Sequence, residues 1–404
     1  VFMPIIIFVL GLVFGLKPSK SFGAGITVGI GFVGINLVIE LLANNLMVVI
    51  DQLVELYNFK LTAVDVGWPI AASIAWSGGA VVPVILAAVF VMNILLVVTG
   101  FTKTLDIDIW NYWQPLFIGG ALYLLSGNFI LSVIAACLSM AIIFKVADFS
   151  QPYVEEFFGI PGVSIPHIES TGWALLCIPL NKLIDRIPII GKIDLTPEKI
   201  QKKLGILGEP YILGLFIGAI LALIARVDAT TVMNTAIVTA AAMFILPKMI
   251  GILMEGLMPV TSAASEFMQK KFHGCEVYIG LDAAVVVGHP SIIATALLLI
   301  PTTLILAVIL PGNVTLPLAE LSGLTFFTVW AVVPSKGNVF RGWLIGTFIM
   351  TAVLLISSDY APVMTSLGNS VGYQFPEGAG QVTCLSIGSQ WVSWIIYKLF
   401  SLFI

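Results

Sequence analysis

The sequence runs to 404 residues, of which 59% are apolar and 10% charged, with a formal net charge of -4. Soluble domains carry roughly 25% charged residues, so this composition, with a mean hydropathy of +1.08, excludes an ordinary water-soluble core. The small net charge and the lack of a basic tract interleaved with aromatics exclude a nucleic-acid partner. Cys137, Cys177, Cys275 and Cys384 are scattered without ligand spacing and predict no metal or other cofactor.

A hydrocarbon layer about 30 Å thick takes about 20 apolar residues per helix. Stretches bounded by charge, Gly or Pro fall near 3–16, 24–50, 78–100, 112–125, 129–147 and 171–181, then near 210–225, 232–259, 283–310, 318–333, 339–357 and 383–403. Runs such as Val81–Thr99 are apolar on every face, whereas a membrane barrel shows segments of about ten residues alternating in polarity. The reading is an all-α polytopic membrane protein. The glycines of GAGITVGIGFVG from Gly23 lie inside an apolar stretch with no Walker lysine, so close helix packing explains them.

The two sets of stretches share order and length, and matched residues support an internal repeat: Glu40 with Glu255, Gly67 with Gly280, Trp113 with Trp330, Asp148 with Asp359, Pro152 with Pro362, Trp173 with Trp391. About five crossings per half would invert one repeat relative to the other, as in many secondary transporters. The expected division is 1–186 for the first repeat, 187–207 for a linker and 208–404 for the second. Asn181–Gly205 holds six of the 18 Lys and Arg residues, which predicts a cytoplasmic location. Ile193, Leu195, Ile200 and Leu204 suit an amphipathic helix lying on the lipid surface there.

Polar residues within apolar stretches cost roughly 2.5–3.5 kcal/mol each at mid-membrane and need a partner or water. Asn36, Glu40, Glu255, Asp282 and His289 are the clearest, with Asp65, Asp106, Asp108, His167 and Glu169 at the borders. Several adjoin helix-breaking sequence: VDVGWP from Val64, WNYWQP from Trp110, PGVSIPH from Pro161 and GLDAAVVVGHP from Gly280. Irregular backbone at membrane depth must be buried in protein or line a wet cavity, so breaks in both halves point to a central solute site. Trp68, Trp110 and Trp113 are candidates to stack on a sugar-like ligand, or else belong to an interfacial belt. His167, His289, Asp282 and Glu169 are the acid or base candidates. His273, beside Lys270 and Lys271, reads as solvated.

Together GIGFVGI from Gly29, VDVGWP from Val64, DIWNYW from Asp108, IPH from Ile165, GEP from Gly208 and IGLDAAVVVGHP from Ile279 resemble the galactitol-type phosphotransferase system enzyme IIC, over about Ile5 to Val314. The related ascorbate transporters are more distant. That resemblance implies a homodimer with scaffold and core domains, re-entrant hairpins and elevator movement. It implies a bacterial inner-membrane permease carrying galactitol or a similar alditol, phosphorylated on delivery by a phosphocysteine of a cytoplasmic IIB subunit that IIA recharges.

By position, the resemblance puts Asn111, Gln114, His167 and Asp282 in the solute site, with His167 or Asp282 taking the hydroxyl proton. Glu169, Trp68, Trp110 and His289 complete the expected lining. Where related sequences carry small polar residues after IPH, this chain has IESTGW; Glu169 would bind hydroxyls and repel an anion such as ascorbate. A different class remains open, an ion- or proton-coupled secondary transporter using Glu40, Glu255 and Asp282. A membrane-embedded transferase without transport lacks its usual acidic or His-rich motif.

Overall fold

Glycines, prolines and short polar side chains divide the chain into helices. The structure, a computed structural model, describes residues 2–57, 61–77, 79–188, 190–271, 277–375 and 379–403; Cys275 and His273 lie outside them. Helix α1 (Phe2–Val13) is followed by α2 (Pro18–Tyr57), which opens on proline, whose fixed φ suits a first turn. Strand β1 (Ala63–Asp65) then leads through Gly67, at φ +80°, into α3 (Trp68–Trp76). A side chain would resist that conformation.

Helix α4 (Val81–Val98), β2 (Thr104–Asp106), a short 3-10 turn at Ile109–Tyr112 and α5 (Trp113–Ser126) come next. Asn128 caps α6 (Phe129–Phe158) by accepting from Leu131 N–H, and Gly159 ends it in a left-handed conformation. The first half closes with β3 (Val163–Ser164), α7 (Ile168–Thr171) and α8 (Ala174–Ile184). The linker carries α9 (Pro197–Leu204), capped by Thr196. The second half contains α10 (Pro210–Ile224), α11 (Ala229–Lys271), β4 (Tyr278–Gly280), α12 (Pro290–Ile309), β5 (Thr315–Leu316), α13 (Thr325–Val332), α14 (Val339–Ser370), β6 (Gln381–Thr383) and α15 (Trp391–Ser401).

Among the described residues six helices are long and apolar enough to cross a membrane: Pro18–Leu56, Val81–Val98, Phe129–Phe158, Ala229–Ala264, Pro290–Ile309 and Val339–Ser370. Their outer faces show Leu37, Val98 and Ile237 at about 60% exposure, an apolar surface that lipid rather than water accommodates. Helices α1, α2, α10 and α11 pack chiefly on one another. There the glycine run works by close approach: a Cβ at Gly31 would lie 2.6 Å from Leu253 Cβ, and one at Gly29 would lie 2.6 Å from Pro4 Cγ.

The sequence reading contains no strands, and among the described residues the structure has two small parallel sheets. One is ordered β5-β1-β6, with Ala63 opposite Thr315 and Gln381; the other is β2-β4-β3, with Asp106 and Ser164 opposite Gly280. Each sheet takes its central strand from one half and its flanking strands from the other. Two or three residues per strand are too few for a period-2 pattern to register.

Side chains brace these strands. Asp148 of α6 accepts from Thr102 Oγ1 at 2.9 Å, Lys103 N–H at 3.1 Å and Thr104 Oγ1 at 2.9 Å. In the second half Ser358 of α14 accepts from Val314 N–H and donates to Asn313 Oδ1, both at 2.9 Å. The linker is tied to the start of α14: Asn338 Nδ2 donates to Ile193 O, Val339 N–H to Leu195 O, and Arg341 to Asp185 and Gly191 O. Ile193 and Leu195 therefore sit in an anchored segment ahead of α9, and the helical part of the linker is Pro197–Leu204.

Removing Asp148 takes away the acceptor of Lys103 N–H and leaves the hydroxyls of Thr102 and Thr104 only Phe144 O and Ser164 Oγ. Asp148→Ala is expected to destabilise the fold by roughly 2–4 kcal/mol, seen as a lowered thermal midpoint in detergent. Glu156→Ala, which breaks only the exposed pair with Lys336, is expected to leave that midpoint unchanged.

Candidate solute site at the broken helices

The ends of the two sheets carry the buried polar residues. Beyond β2, Asp106 Oδ1 accepts from Asp108 N–H at 3.3 Å and from Asn111 Nδ2 at 2.9 Å. Asp108 accepts from Trp110 N–H at 3.2 Å and, across the halves, from Asp282 N–H at 3.0 Å. Asp282 Oδ1 accepts from Ala284 N–H at 2.7 Å, and its Oδ2 lies 3.4 Å from His167 Nε2. His167 Nδ1 is 3.2 Å from Ser170 Oγ, and Phe326 packs against the imidazole with centroids 5.6 Å apart.

Gln114 joins this group to Glu169. Its Oε1 accepts from Glu169 N–H at 3.0 Å, which fixes the amide so that Nε2 faces His167 Nε2 at 3.4 Å. One imidazole nitrogen cannot accept from the amide and donate to Asp282 together. Either the amide or the carboxylate therefore keeps a valence for another partner. Asp106 Oδ2 and Asn111 Oδ1 are buried without a partner. The Glu169 side chain is also buried and accepts from no described residue.

The other sheet end differs. Asp65 Oδ1 accepts from Gly67 N–H at 3.1 Å and Leu385 N–H at 3.3 Å; Oδ2 accepts from Glu320 N–H at 2.9 Å and Leu318 N–H at 3.4 Å. Glu320 accepts from the backbone N–H and hydroxyl of Ser386, and from Cys384 Sγ at 3.6 Å. Asp65, Glu320 and Cys384 offer ligand atoms within 4.8 Å of one another. A cation there would have to displace the N–H and O–H donors that already occupy those oxygens.

Of the sequence candidates, Asn111, Gln114, His167, Glu169 and Asp282 are thus gathered together. Trp68 and Trp110 have backbone at the sheet ends, but their rings turn outward, about 42% exposed. With Trp76 and Trp113 they form one aromatic group, with centroids 4.8–6.2 Å apart. His289 lies apart: it caps α12 by accepting from Ser291 N–H, and its ring packs against Phe157 at 4.5 Å. Asn36, Glu40 and Glu255 occupy exposed faces of α2 and α11. Glu320 and Ser386 escaped the sequence reading, although Glu320 stands in an apolar stretch as Glu40 does.

The profile of the PTS system sugar-specific permease component matches residues 1–378. The chain belongs to this permease family. It is 38% identical over 405 residues to a permease IIC component of Escherichia coli K12, covering 100% of this chain and 92% of that protein. It is 32% identical over 401 residues to the galactitol-specific EIIC component of the same strain, covering 99% and 88%, and equally to that of Escherichia coli O157:H7. The resemblance thus extends well beyond Val314. Family and apolar helices together make this permease a multi-pass membrane protein.

An amide at Asp65 would put its own N–H groups against backbone donors of the permease. Asp65→Asn is expected to cost roughly 3 kcal/mol or more, read as loss of monodisperse protein on extraction. Asp282→Asn keeps an oxygen for Ala284 N–H and is expected to stay folded.

Proposed function

We propose that this permease carries galactitol or a similar neutral alditol across the bacterial cytoplasmic membrane as the IIC component of a phosphotransferase system. Phosphorylated IIB, recharged by IIA, then phosphorylates the solute. The observation that carries this reading is a buried compartment offering an imidazole, amides and carboxylates, with no lysine or arginine among their described partners. An alditol presents only hydroxyls, each both donor and acceptor, and needs such a lining. The full-length relative named for galactitol supports the same choice.

In this reading Asn111, Gln114, His167, Glu169 and Asp282 hold the hydroxyls, and His167 or Asp282 takes the proton from the attacking one. Trp68 and Trp110 belong to the approach to the site, and His289 supports α12. Two inverted repeats, 1–186 and 208–404, joined by the basic linker 187–207, form the architecture. Support comes from the recurrence in both halves of helix pair, strand, helical segment (α3 and α4 in the first, α12 in the second), strand, a 3-10 turn leading into a short helix, long helix and strand. Each sheet's exchange of strands between halves supports it too. Helices α1, α2, α10 and α11 form a dimeric scaffold, past which the remainder moves as an elevator to the face where IIB docks.

The ion-coupled alternative needs Glu40 and Glu255 at the site, and their positions on exposed faces weigh against it. Proteoliposomes separate the two. Accumulation of phosphorylated galactitol only with phosphorylated IIB is expected; uptake driven by a sodium or proton gradient without IIB would refute the proposal. His167→Ala and Asp282→Asn are each expected to weaken galactitol binding by about tenfold or more, the loss of one hydrogen bond to a charged or buried group.

A further inference from the structure

Six carboxyl groups, those of Asp65, Asp106, Asp108, Glu169, Asp282 and Glu320, are gathered at the two sheet ends, each residue at most 8% exposed. Asp108 accepts from the backbone of Asp282, whose own carboxyl lies 3.4 Å from His167. No described lysine or arginine pairs with any of the six. Asp65 and Glu320 hold backbone and hydroxyl donors on both oxygens, and each Asp108 oxygen holds one N–H group. No described residue donates to the Glu169 carboxyl, which is buried and joined to the His167–Asp282 pair through the bond from its own N–H to Gln114.

We infer that this buried cluster selects neutral solutes over anions, with Glu169 as the residue that enforces the exclusion. This rests on the alditol reading above. In the transfer, the P–S bond of a phosphocysteine on the partner breaks and a P–O bond to a solute hydroxyl forms. The hydroxyl proton goes to an acceptor and the cysteine leaves as thiolate. The solute changes from neutral to a phosphate monoester of nearly two negative charges.

That anion has no good state inside. Where the carboxyls are ionised it meets like charges at close range in a medium far less polarisable than water. Where they carry protons, it sits desolvated with no described lysine or arginine as a counter-charge, and His167 is committed to Asp282, Gln114 and Ser170. The neutral alditol suffers neither penalty, and its hydroxyls donate to Glu169. Product therefore leaves toward water with no described lysine or arginine to hold it back, and an imidazolium formed at His167 is already faced by Asp282 at 3.4 Å.

Displacement of radiolabelled galactitol from the purified dimer or monomer in nanodiscs tests this, with unlabelled galactitol, galactitol 1-phosphate and galactonate as competitors. In the unaltered protein both anions are expected to compete at least about 100-fold more weakly than galactitol. Glu169→Gln, which exchanges a charged hydroxyl acceptor for a neutral one, is expected to weaken galactitol by up to about tenfold while galactonate improves about tenfold or more relative to galactitol. Glu169→Asp, which keeps the charge, should preserve the rejection. If galactitol itself fails to bind, the alditol reading falls and this inference with it. If galactitol binds and galactitol 1-phosphate competes within tenfold of it, exclusion alone is refuted. Glu169→Gln rejecting galactonate as fully as the unaltered protein would remove Glu169 from the role; should that variant not fold, the phosphate competition in the unaltered protein still decides exclusion.

Discussion

A helix interrupted inside a membrane leaves backbone donors and acceptors that lipid cannot satisfy, and each costs several kcal/mol if left bare. The rest of this structure depends on how those groups are met. Two three-stranded parallel sheets take up part of the interrupted backbone, and each needs strands from both halves of the chain. Carboxylates take up much of the remainder. Asp65 collects N–H groups from Gly67, Leu318, Glu320 and Leu385, and Asp108 collects those of Trp110 and Asp282. The halves are therefore joined where their helices fail, rather than through the linker alone.

This division of labour gives the buried acids two kinds of work. Those whose oxygens are filled by N–H groups hold the backbone, and replacing them attacks the fold. Glu169, and the Asp282–His167–Gln114 group with more claims on one imidazole nitrogen than it can meet, retain capacity for a ligand. A cluster of acids in sequence does not separate these classes; the hydrogen-bond inventory of each oxygen does. The same inventory makes the Asp65, Glu320 and Cys384 trio a structural knot rather than an open ligand set.

Much of the membrane architecture was legible in the sequence because it rests on long apolar runs and on Gly and Pro at their ends. Asn111, Gln114, His167, Glu169 and Asp282 were legible because each adjoins a helix break. The strands were not, being two or three residues long and stabilised by partners more than a hundred residues away, such as Ala63 with Thr315. Glu40 and Glu255, named for an ion-coupled carrier, stand on exposed faces of α2 and α11, and charge in an apolar run does not reveal which face it takes. Glu320 was passed over for the converse reason: PLAEL reads as one polar residue in a greasy stretch, and only the fold brings Ser386 to it.

The central claim, that backbone at the broken helices is held by cross-half strands and carboxylates, is tested most directly by amide hydrogen exchange of the protein in nanodiscs. The segments containing Gly67, Asp282, Glu320 and Leu385 are expected to exchange as slowly as the middle of α6 and α14. Exchange of those four segments as fast as the exposed turn at Gly127 would contradict the account.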